Sequence, residues 1–183
     1  HPLELFIDEK KLIVIGYDYN YKTEESKESS VSISSEDKAM VMPNSLTKIK
    51  VFDLENIKKP KLVKEVGVEG DYYTSRKQDS FIYVIVNQHS GWIGIPKNET
   101  NSLIPNMYDD KKGMYKQDLK QIQYIPQSKE SNYVHLLSIN IDSSEYNYQV
   151  ETILGGGDNV YMSKEHLYIA STKYSSGESA NTE

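Results

Sequence analysis

The sequence predicts an all-β protein assembled from repeated antiparallel units. Three copies of one pattern indicate this, at residues 3–17, 72–87 and 155–171. In each copy, apolar or aromatic residues alternate with small polar ones, a short charged turn follows, and a second apolar run comes next. Such short alternating runs are typical of strands with one buried face, and a tight turn joins antiparallel neighbours. Each copy is therefore predicted to be a β-hairpin.

Two more strands are predicted after each of the first two hairpins. Residues 47–54 and 61–68 alternate in hydrophobicity, and Pro60 marks the turn before the second of them because proline cannot donate to a ladder. Residues 133–141 and 146–154 repeat this arrangement around a short polar turn. The order hairpin, long loop, strand, short turn, strand and turn therefore occurs twice.

A repeated four-stranded meander without helices between its strands is the arrangement of a β-propeller blade. The predicted fold is a partial β-propeller with two four-stranded antiparallel blades and the first hairpin of a third. The predicted blades cover residues 1–70, 71–157 and 158–183. A β-sandwich and an open barrel of about ten strands are the alternative architectures.

Two long segments interrupt the meanders. Residues 21–38 are almost entirely Ser, Glu, Lys and Thr, too polar to offset the entropy of ordering them, so a loop is predicted. Residues 88–132 contain much more apolar side chain and several prolines. We expect this second segment to be a packed loop with a functional or partner-binding role, and residues 118–122 to form one helical turn.

The composition excludes several classes of function. A net charge of -6 in 183 residues argues against nucleic acid binding, which needs a dense cationic surface. Cysteine is absent, which excludes disulfides, thiolate metal sites and cysteine nucleophiles. No apolar run reaches the roughly 18 residues that a membrane-spanning helix needs.

No motif predicts catalysis or a cofactor. A nucleophile elbow is missing, and residues 155–157 are three glycines without the helix and Lys-Ser/Thr of a phosphate-binding loop, so they predict a turn. The four histidines lack the spacing of metal ligands. Asp109 and Asp110 are the residues most suited to Ca²⁺, but without the spacing of a calcium loop we interpret them as a solvated turn or as acceptors that pin the loop. We therefore predict no catalytic residue, no cofactor and no metal.

Strand direction places the candidate binding surface. Because each strand of a meander reverses the one before, both long loops should leave the same face and the short turns the opposite face. The predicted binding face contains Trp92, Tyr108, Asp109 and Asp110, with Arg76 at the wall of a central channel. The alternatives are that Trp92 and Tyr108 only anchor the long loop, and that Arg76 pairs with a neighbouring carboxylate.

The chain resembles a family of secreted or surface-attached bacterial and archaeal proteins whose C-terminal β-propeller is distantly related to WD-repeat propellers. The resemblance rests on residues 49–54 with 59–63, 72–76, 104–109, 122–126 and 155–171. It implies a parent protein with further blades and an exported location, and it assigns no catalytic residue.

These observations predict a non-enzymatic binding or scaffold module of an exported or cell-surface bacterial protein, with an unknown protein or surface ligand as its partner. The alternative is part of a propeller enzyme whose active site needs further blades. An incomplete ring leaves strand edges unpaired, so we also expect self-association through open blade edges.

Overall fold

The structure is a computed structural model, and it describes residues 1–18, 45–89, 103–128, 130–156 and 159–170. Thirteen β-strands and one 3₁₀ turn, Leu119–Gln121, are present in this part of the chain, without an α-helix. The strands are β1 (Pro2–Asp8), β2 (Lys11–Asp18), β3 (Leu46–Asp53), β4 (Lys61–Glu69), β5 (Asp71–Gln78), β6 (Phe81–Gln88), β7 (Asn106–Asp109), β8 (Gly113–Lys116), β9 (Ile122–Tyr124), β10 (Tyr133–Asn140), β11 (Tyr148–Leu154), β12 (Asn159–Met162) and β13 (Leu167–Ala170).

The first blade is the antiparallel meander β1–β2–β3–β4. Its buried positions alternate along β2 and β3, with Ile13, Ile15, Ile49 and Val51 fully buried, as the apolar pattern predicts. The second blade, β5–β6–β10–β11, has the same topology. β12 and β13 form a separate two-stranded sheet. The predicted all-β partial propeller is confirmed, with strand ends within two residues of those predicted.

The long segment between β6 and β10 differs from the predicted loop, because it contributes strands to both blades. The hairpin β7–β8 pairs antiparallel with β4 and extends the first sheet to six strands. β9 then pairs parallel with β11. These strands have only three or four residues each, too few for an alternating pattern to be recognised. The second blade's sequence range therefore supplies part of the first sheet, and one pairing is parallel where only antiparallel pairing was predicted.

The helical turn predicted at residues 118–122 is confirmed as the 3₁₀ turn. Asp118 caps it by accepting a hydrogen bond from the Lys120 N–H at 3.0 Å. This turn connects β8 at the edge of the first sheet to β9 at the edge of the second. The chain thus crosses from one blade to the other and back within the insertion.

One hydrophobic core is shared by the facing sheets of the two blades. It joins side chains of β2, β3 and β4 to Ile82, Val84 and Leu137 of the second sheet. Gly70 makes the tight connection from β4 to β5 with a φ of 123°, where a Cβ would lie 2.8 Å from the Asn87 carbonyl oxygen. Only glycine fits this connection without strain.

The short turns lie at one end of the sheets and the longer connections at the other, as the alternating strand direction predicts. At one end the short turns meet, where Lys11 pairs with Asp142 at 3.1 Å and Lys77 with Asp8 at 3.4 Å. At the other end, Ser45 accepts a backbone hydrogen bond from Gly70, so the described end of the first long loop lies beside the interblade turn.

Candidate functional site

An ion pair joins the hairpin β7–β8 to the first blade. The Lys64 ammonium lies 2.8 Å from Asp109 Oδ2 and 2.7 Å from Asp110 Oδ1. Asp109 also accepts hydrogen bonds from the backbone N–H groups of Lys111 and Lys112, at 2.8 and 3.2 Å. Lys64 is 5% exposed and Asp109 is 3% exposed. This cluster of Lys64, Asp109 and Asp110, the clasp, pins the hairpin turn onto β4.

Asp109 and Lys64 of the clasp are charged at neutral pH. Burial by itself would raise the pKa of Asp109, but hydrogen bonds from Lys64, the Lys111 N–H and Tyr148 outweigh it and hold the pKa at about 2. Burial also opposes the charge of Lys64, yet its two carboxylate partners raise the pKa of its ammonium above the ordinary value. A buried charge that is fully paired in this way serves structure, since breaking the pair would leave a charge without compensation.

The two carboxylates that could ligate Ca²⁺ both contact the ammonium of Lys64 in the clasp. Elsewhere in the described ranges, no group of three or more Asp, Glu or His side chains has a geometry that fits a metal ion.

Tyr148 links the clasp to the second blade. It lies on β11, and its hydroxyl is 3.2 Å from the Tyr115 hydroxyl on β8. The Lys64 ammonium is 5.2 Å from the centroid of the Tyr148 ring, within cation–π range. Burial is the main cause that raises the pKa of Tyr148, so the group stays a neutral phenol. The two outer blade edges therefore meet at this tyrosine.

Among the predicted binding-face residues that the structure describes, Asp109 is buried, Tyr108 is half-buried and Asp110 is exposed. Asp109 is enclosed by the clasp and has no surface to offer a ligand. Tyr108 is half-buried in β7, with the Lys48 ammonium 4.1 Å from its ring centroid. Asp110 is exposed beside it, so ligand contact by these two residues stays a prediction. Trp92 lies outside the described residues.

Arg76 bonds to main chain in the described residues, and its place at the wall of a central channel stays a prediction. Its guanidinium donates a 3.0 Å hydrogen bond to the backbone carbonyl of Met162, the last residue of β12. Gln78, two residues later on β5, donates to the Lys164 carbonyl at 3.1 Å. These bonds attach the third sheet to the inner strand of the second blade, so the partner of Arg76 here is main chain rather than a carboxylate.

An open groove lies between the hairpin β7–β8 and β11, beside the clasp. Its volume is about 590 Å³. The floor is formed by apolar and aromatic side chains on both blades, and the rim is mainly amide and charged. The lining residues are Met107, Tyr115, Tyr148 and Val150 on the floor, Gln117 on the wall, and Lys112, Lys120, Gln121, Gln123, Gln149 and Glu151 on the rim.

One wall of the groove is an unpaired strand edge. β9 pairs with β11 only at Thr152–Leu154, and no other described strand pairs with this side of β11. The Asn140 N–H donates to the Asn147 carbonyl, which fixes the odd-numbered residues of β11 as those bonded to β10. Because backbone groups alternate along an antiparallel ladder, the N–H and C=O of Tyr148 and Val150 point toward the groove.

Gln117 places a polar group without a partner on the groove wall. The residue is 5% exposed, and its Oε1 atom has no hydrogen-bond partner among the described residues. Its backbone is fixed by an N–H bond to the Pro105 carbonyl at 3.1 Å. A buried acceptor left unbonded costs about 1–3 kcal/mol, so it is a feature that needs an explanation.

Sequence reasoning missed Gln117, Tyr148 and Val150 as site residues. Their importance depends on which strand covers which edge, and the pairing of β7–β8 with β4 has no signature in the sequence. The available signal was the alternation of Tyr148 and Val150 with Gln149 and Glu151, which marks a strand with one polar face.

The buried histidine of the second blade has a structural role. His135 is fully buried, with Nδ1 2.8 Å from Thr152 Oγ1 and Nε2 3.1 Å from Gln88 Oε1. Since the Gln88 oxygen only accepts, His135 Nε2 donates to it and Nδ1 accepts from the threonine hydroxyl. Burial lowers the pKa of His135 to about 3, so the ring stays neutral.

In the described residues, no helix has the length and apolar character to cross a membrane.

The comparisons with known proteins identify the fold family. Searches of curated proteins and of solved structures found no match. A family model described as "Beta propeller domain" matches residues 1–183, the whole chain. With its two four-stranded blades and a third hairpin, this chain belongs to the beta propeller domain family.

Proposed function

We propose that this chain is a non-enzymatic binding module of an exported or cell-surface bacterial protein, and that it binds its ligand in the groove between the hairpin β7–β8 and β11. The observation that carries this proposal is the coincidence of an open groove, an unpaired strand edge and the unpartnered acceptor of Gln117. Concave sites with an apolar floor and a few polar groups are typical of ligand binding.

The size of the groove supports this role. Ligand pockets generally measure about 300–1,000 Å³, and about 590 Å³ falls within that range. The floor offers apolar and aromatic surface from Met107, Tyr115, Tyr148 and Val150. Such surface contributes binding energy by exclusion of water, while the polar rim sets the orientation of the ligand.

The electrostatics favour binding over catalysis. A general acid or base needs a pKa near the working pH and access to its substrate. Asp109, with a pKa of about 2, and His135, with a pKa of about 3, meet neither condition, since both are buried and hydrogen-bonded within the protein. The strongly shifted carboxyl and imidazole groups therefore serve packing.

The proposal is tested by NMR titration of ¹⁵N-labelled protein against three separate libraries, of short peptides, oligosaccharides and nucleotides. We expect at least one class to shift the amide signals of Val150, Lys112 and the Gln117 side chain, and to be recovered chemically unchanged by mass spectrometry. Failure of all three classes to shift these signals would contradict the proposal. Conversion of a ligand to a product would support the enzyme alternative.

The exported location has its own test. Its support is the sequence resemblance to secreted and surface-attached proteins. Fractionation of the native cells should place the protein outside the cytoplasm and make it accessible to protease added to intact cells. Protection from that protease, with cleavage only after lysis, would contradict the proposed location.

A further inference from the structure

We infer that the ligand of the groove is an extended peptide segment that adds as a strand to the outer edge of β11, with Gln117 as an additional hydrogen-bond acceptor. This inference rests on the proposed binding function. It names the class of ligand and the mode by which the groove would recognise it.

The outer edge of β11 is unpaired at residues 148–151 in the described part of the chain. Tyr148 and Val150 direct their N–H and C=O groups toward the groove, with no described strand to receive them. Repeated donors and acceptors along an edge are the template that an extended peptide completes in β-strand addition. Oligosaccharides and nucleotides lack a backbone that repeats with the period of two residues set by this edge.

The position of β9 defines where the added strand ends. β9 occupies the same edge of β11 from Thr152 onward, so a peptide would have residues 148–151 available. At a rise of about 3.3 Å per residue, this length accommodates roughly four peptide residues. The peptide would continue the row of β9 along β11 in the same sheet.

The opposite wall explains why the peptide would bind here rather than at any exposed edge. β8 ends the first sheet and faces the groove through Tyr115. Met107, Tyr115 and the side chains of Tyr148 and Val150 form an apolar floor between the two blades. Since alternate side chains of a strand point to opposite faces, every second peptide side chain would meet this floor.

Gln117 offers a hydrogen-bond acceptor to a peptide in the groove. Its Oε1 atom is buried on the groove wall and has no hydrogen-bond partner among the described residues. Rotation about the terminal torsion of glutamine is soft, so the amide oxygen can turn toward a peptide N–H in the groove. Peptide binding would then give this acceptor a hydrogen bond that the described residues do not supply.

The rim charge indicates which peptides should bind. Lys112 and Lys120 line the groove. Among the described lining residues, Glu151 is the only acidic one, and it already accepts a hydrogen bond from Gln123 at 3.4 Å. The local charge is therefore positive, in a chain that is acidic overall. Electrostatic complementarity favours peptides with an acidic or neutral side chain at the rim over basic ones.

The test begins with selection from a random heptapeptide library displayed on phage, with the whole chain as bait. The best peptide is then synthesised with single N-methyl groups at each position in turn. In a strand added to one edge, alternate N–H groups face β11. We expect N-methylation at one alternating set of central positions to weaken binding at least tenfold, and methylation at the intervening set to change it by less than about threefold.

Protein variants provide the matching half of the test. Gln117→Leu removes the acceptor while keeping side-chain volume, and should weaken the selected peptide by about three- to tenfold, the effect of one hydrogen bond. Gln121→Leu, on the exposed rim of the same groove, is the control and should leave affinity unchanged. Folding of both variants is checked by their amide spectra. Gln117→Asn, whose shorter side chain withdraws the acceptor, is a second variant for the same affinity measurement.

The outcomes separate this inference from the proposed function. Equal losses for both sets of N-methyl positions, or peptide-induced shifts confined to residues outside the groove, would overturn strand addition. An oligosaccharide or nucleotide that binds at the groove while no peptide does would overturn the inference and leave the binding function intact. If no ligand class binds at the groove, both proposals fail.

Discussion

The two complete blades share one topology but treat their outer edges differently. In the first blade, the hairpin β7–β8 pairs with β4 at Val66, Gly67 and Val68, and the clasp fixes its turn. In the second blade, only the three-residue strand β9 pairs with β11, and residues 148–151 have no described partner on that side. A repeated fold unit therefore carries one closed and one open edge.

A single insertion produces both edges, and this explains where the groove lies. The segment leaves the second blade after β6, covers the first blade's edge, and returns to cover only part of its own. Exposed strand edges are hazards that proteins usually cover or shorten. The open edge of β11 lies beside the covered edge of β4, with apolar side chains between them. This is where we propose that the ligand binds.

The largest expected effect on stability comes from breaking the ion pair that holds the hairpin β7–β8 on the first blade. Lys64→Met removes the ammonium and leaves the buried carboxylate of Asp109 without its cation. Breaking a buried pair in this way costs about 3–5 kcal/mol. We expect that loss in the free energy of unfolding, measured by urea denaturation at pH 7.

The matched control is Lys61→Met, an exposed lysine on the same strand. It should change stability by less than about 0.5 kcal/mol. If both variants were equally stable, the clasp would not hold the first blade's edge and the comparison between edges would lose its basis.

Acid should weaken the closed edge in a defined pH window. The pKa of Asp109 is lowered from 3.8 to about 2 in the folded protein, so its contribution to stability is complete above about pH 4 and is lost as the pH falls toward 2. A shift of this size corresponds to an effect on the order of 2 kcal/mol. The measurement is the free energy of unfolding as a function of pH.

The second blade should respond to acid at higher pH, which separates the two effects. The pKa of His135 is lowered from 6.5 to about 3 in the folded protein. On acidification, His135 therefore takes up a proton in the unfolded chain at a higher pH than in the folded protein. The stability that the neutral, buried imidazole contributes is lost as the pH falls below about 6.5. The double variant Lys64→Met/Asp109→Leu should keep this upper slope and lose the Asp109 contribution below pH 4. Persistence of that lower contribution in the double variant would contradict its assignment to the clasp.

A smaller effect, of opposite sign, is expected at the open edge. Gln117→Leu replaces a buried acceptor that has no described partner by an apolar side chain of similar size. Relief of that unsatisfied group should raise the free energy of unfolding by about 1 kcal/mol. Thermal unfolding of this variant beside Gln121→Leu gives the comparison, and a destabilised Gln117→Leu variant would argue that the amide has a structural role.

The smallest effect is expected on the rim of the groove. Lys112→Met removes an exposed ammonium that lies 5.5 Å from the Tyr115 ring centroid. An exposed cation–π contact contributes about 0.5 kcal/mol. Lys111→Met, at the neighbouring exposed position, serves as the reference in the same denaturation experiment. A loss as large as that of Lys64→Met would show that the rim and the clasp act as one structural unit.

The blades themselves could be predicted from sequence because their strands are long and locally connected. β2 and β3 carry seven or more residues with a clear period of two, and their partners are the next strands along the chain. The helical turn at Leu119–Gln121 was also predictable, since Asp118 is a recognisable cap. Local pattern is sufficient where pairing is local.

The edges could not be predicted, because their pairing is neither local nor marked by pattern. β7 and β8 have four residues each, and β7 pairs with a strand about 40 residues earlier. Without that pairing, Asp109 looks like an exposed acidic turn, and the partner that encloses it, Lys64, looks like an ordinary surface lysine. The sequence therefore indicated that this segment packs against the blades, but not which of its residues line the groove.

Amide hydrogen exchange measures the difference between the two edges most directly. The Asp110 N–H donates to the Glu65 carbonyl, so by alternation the Gly67 N–H faces β7, whereas the Val150 N–H faces the groove. In the free protein we expect the Gly67 amide to be strongly protected and the Val150 amide to exchange at least tenfold faster. Val150 should become protected when the selected peptide is added. A Val150 amide as protected as that of Gly67 before any peptide is present would contradict the open edge on which the proposed function depends.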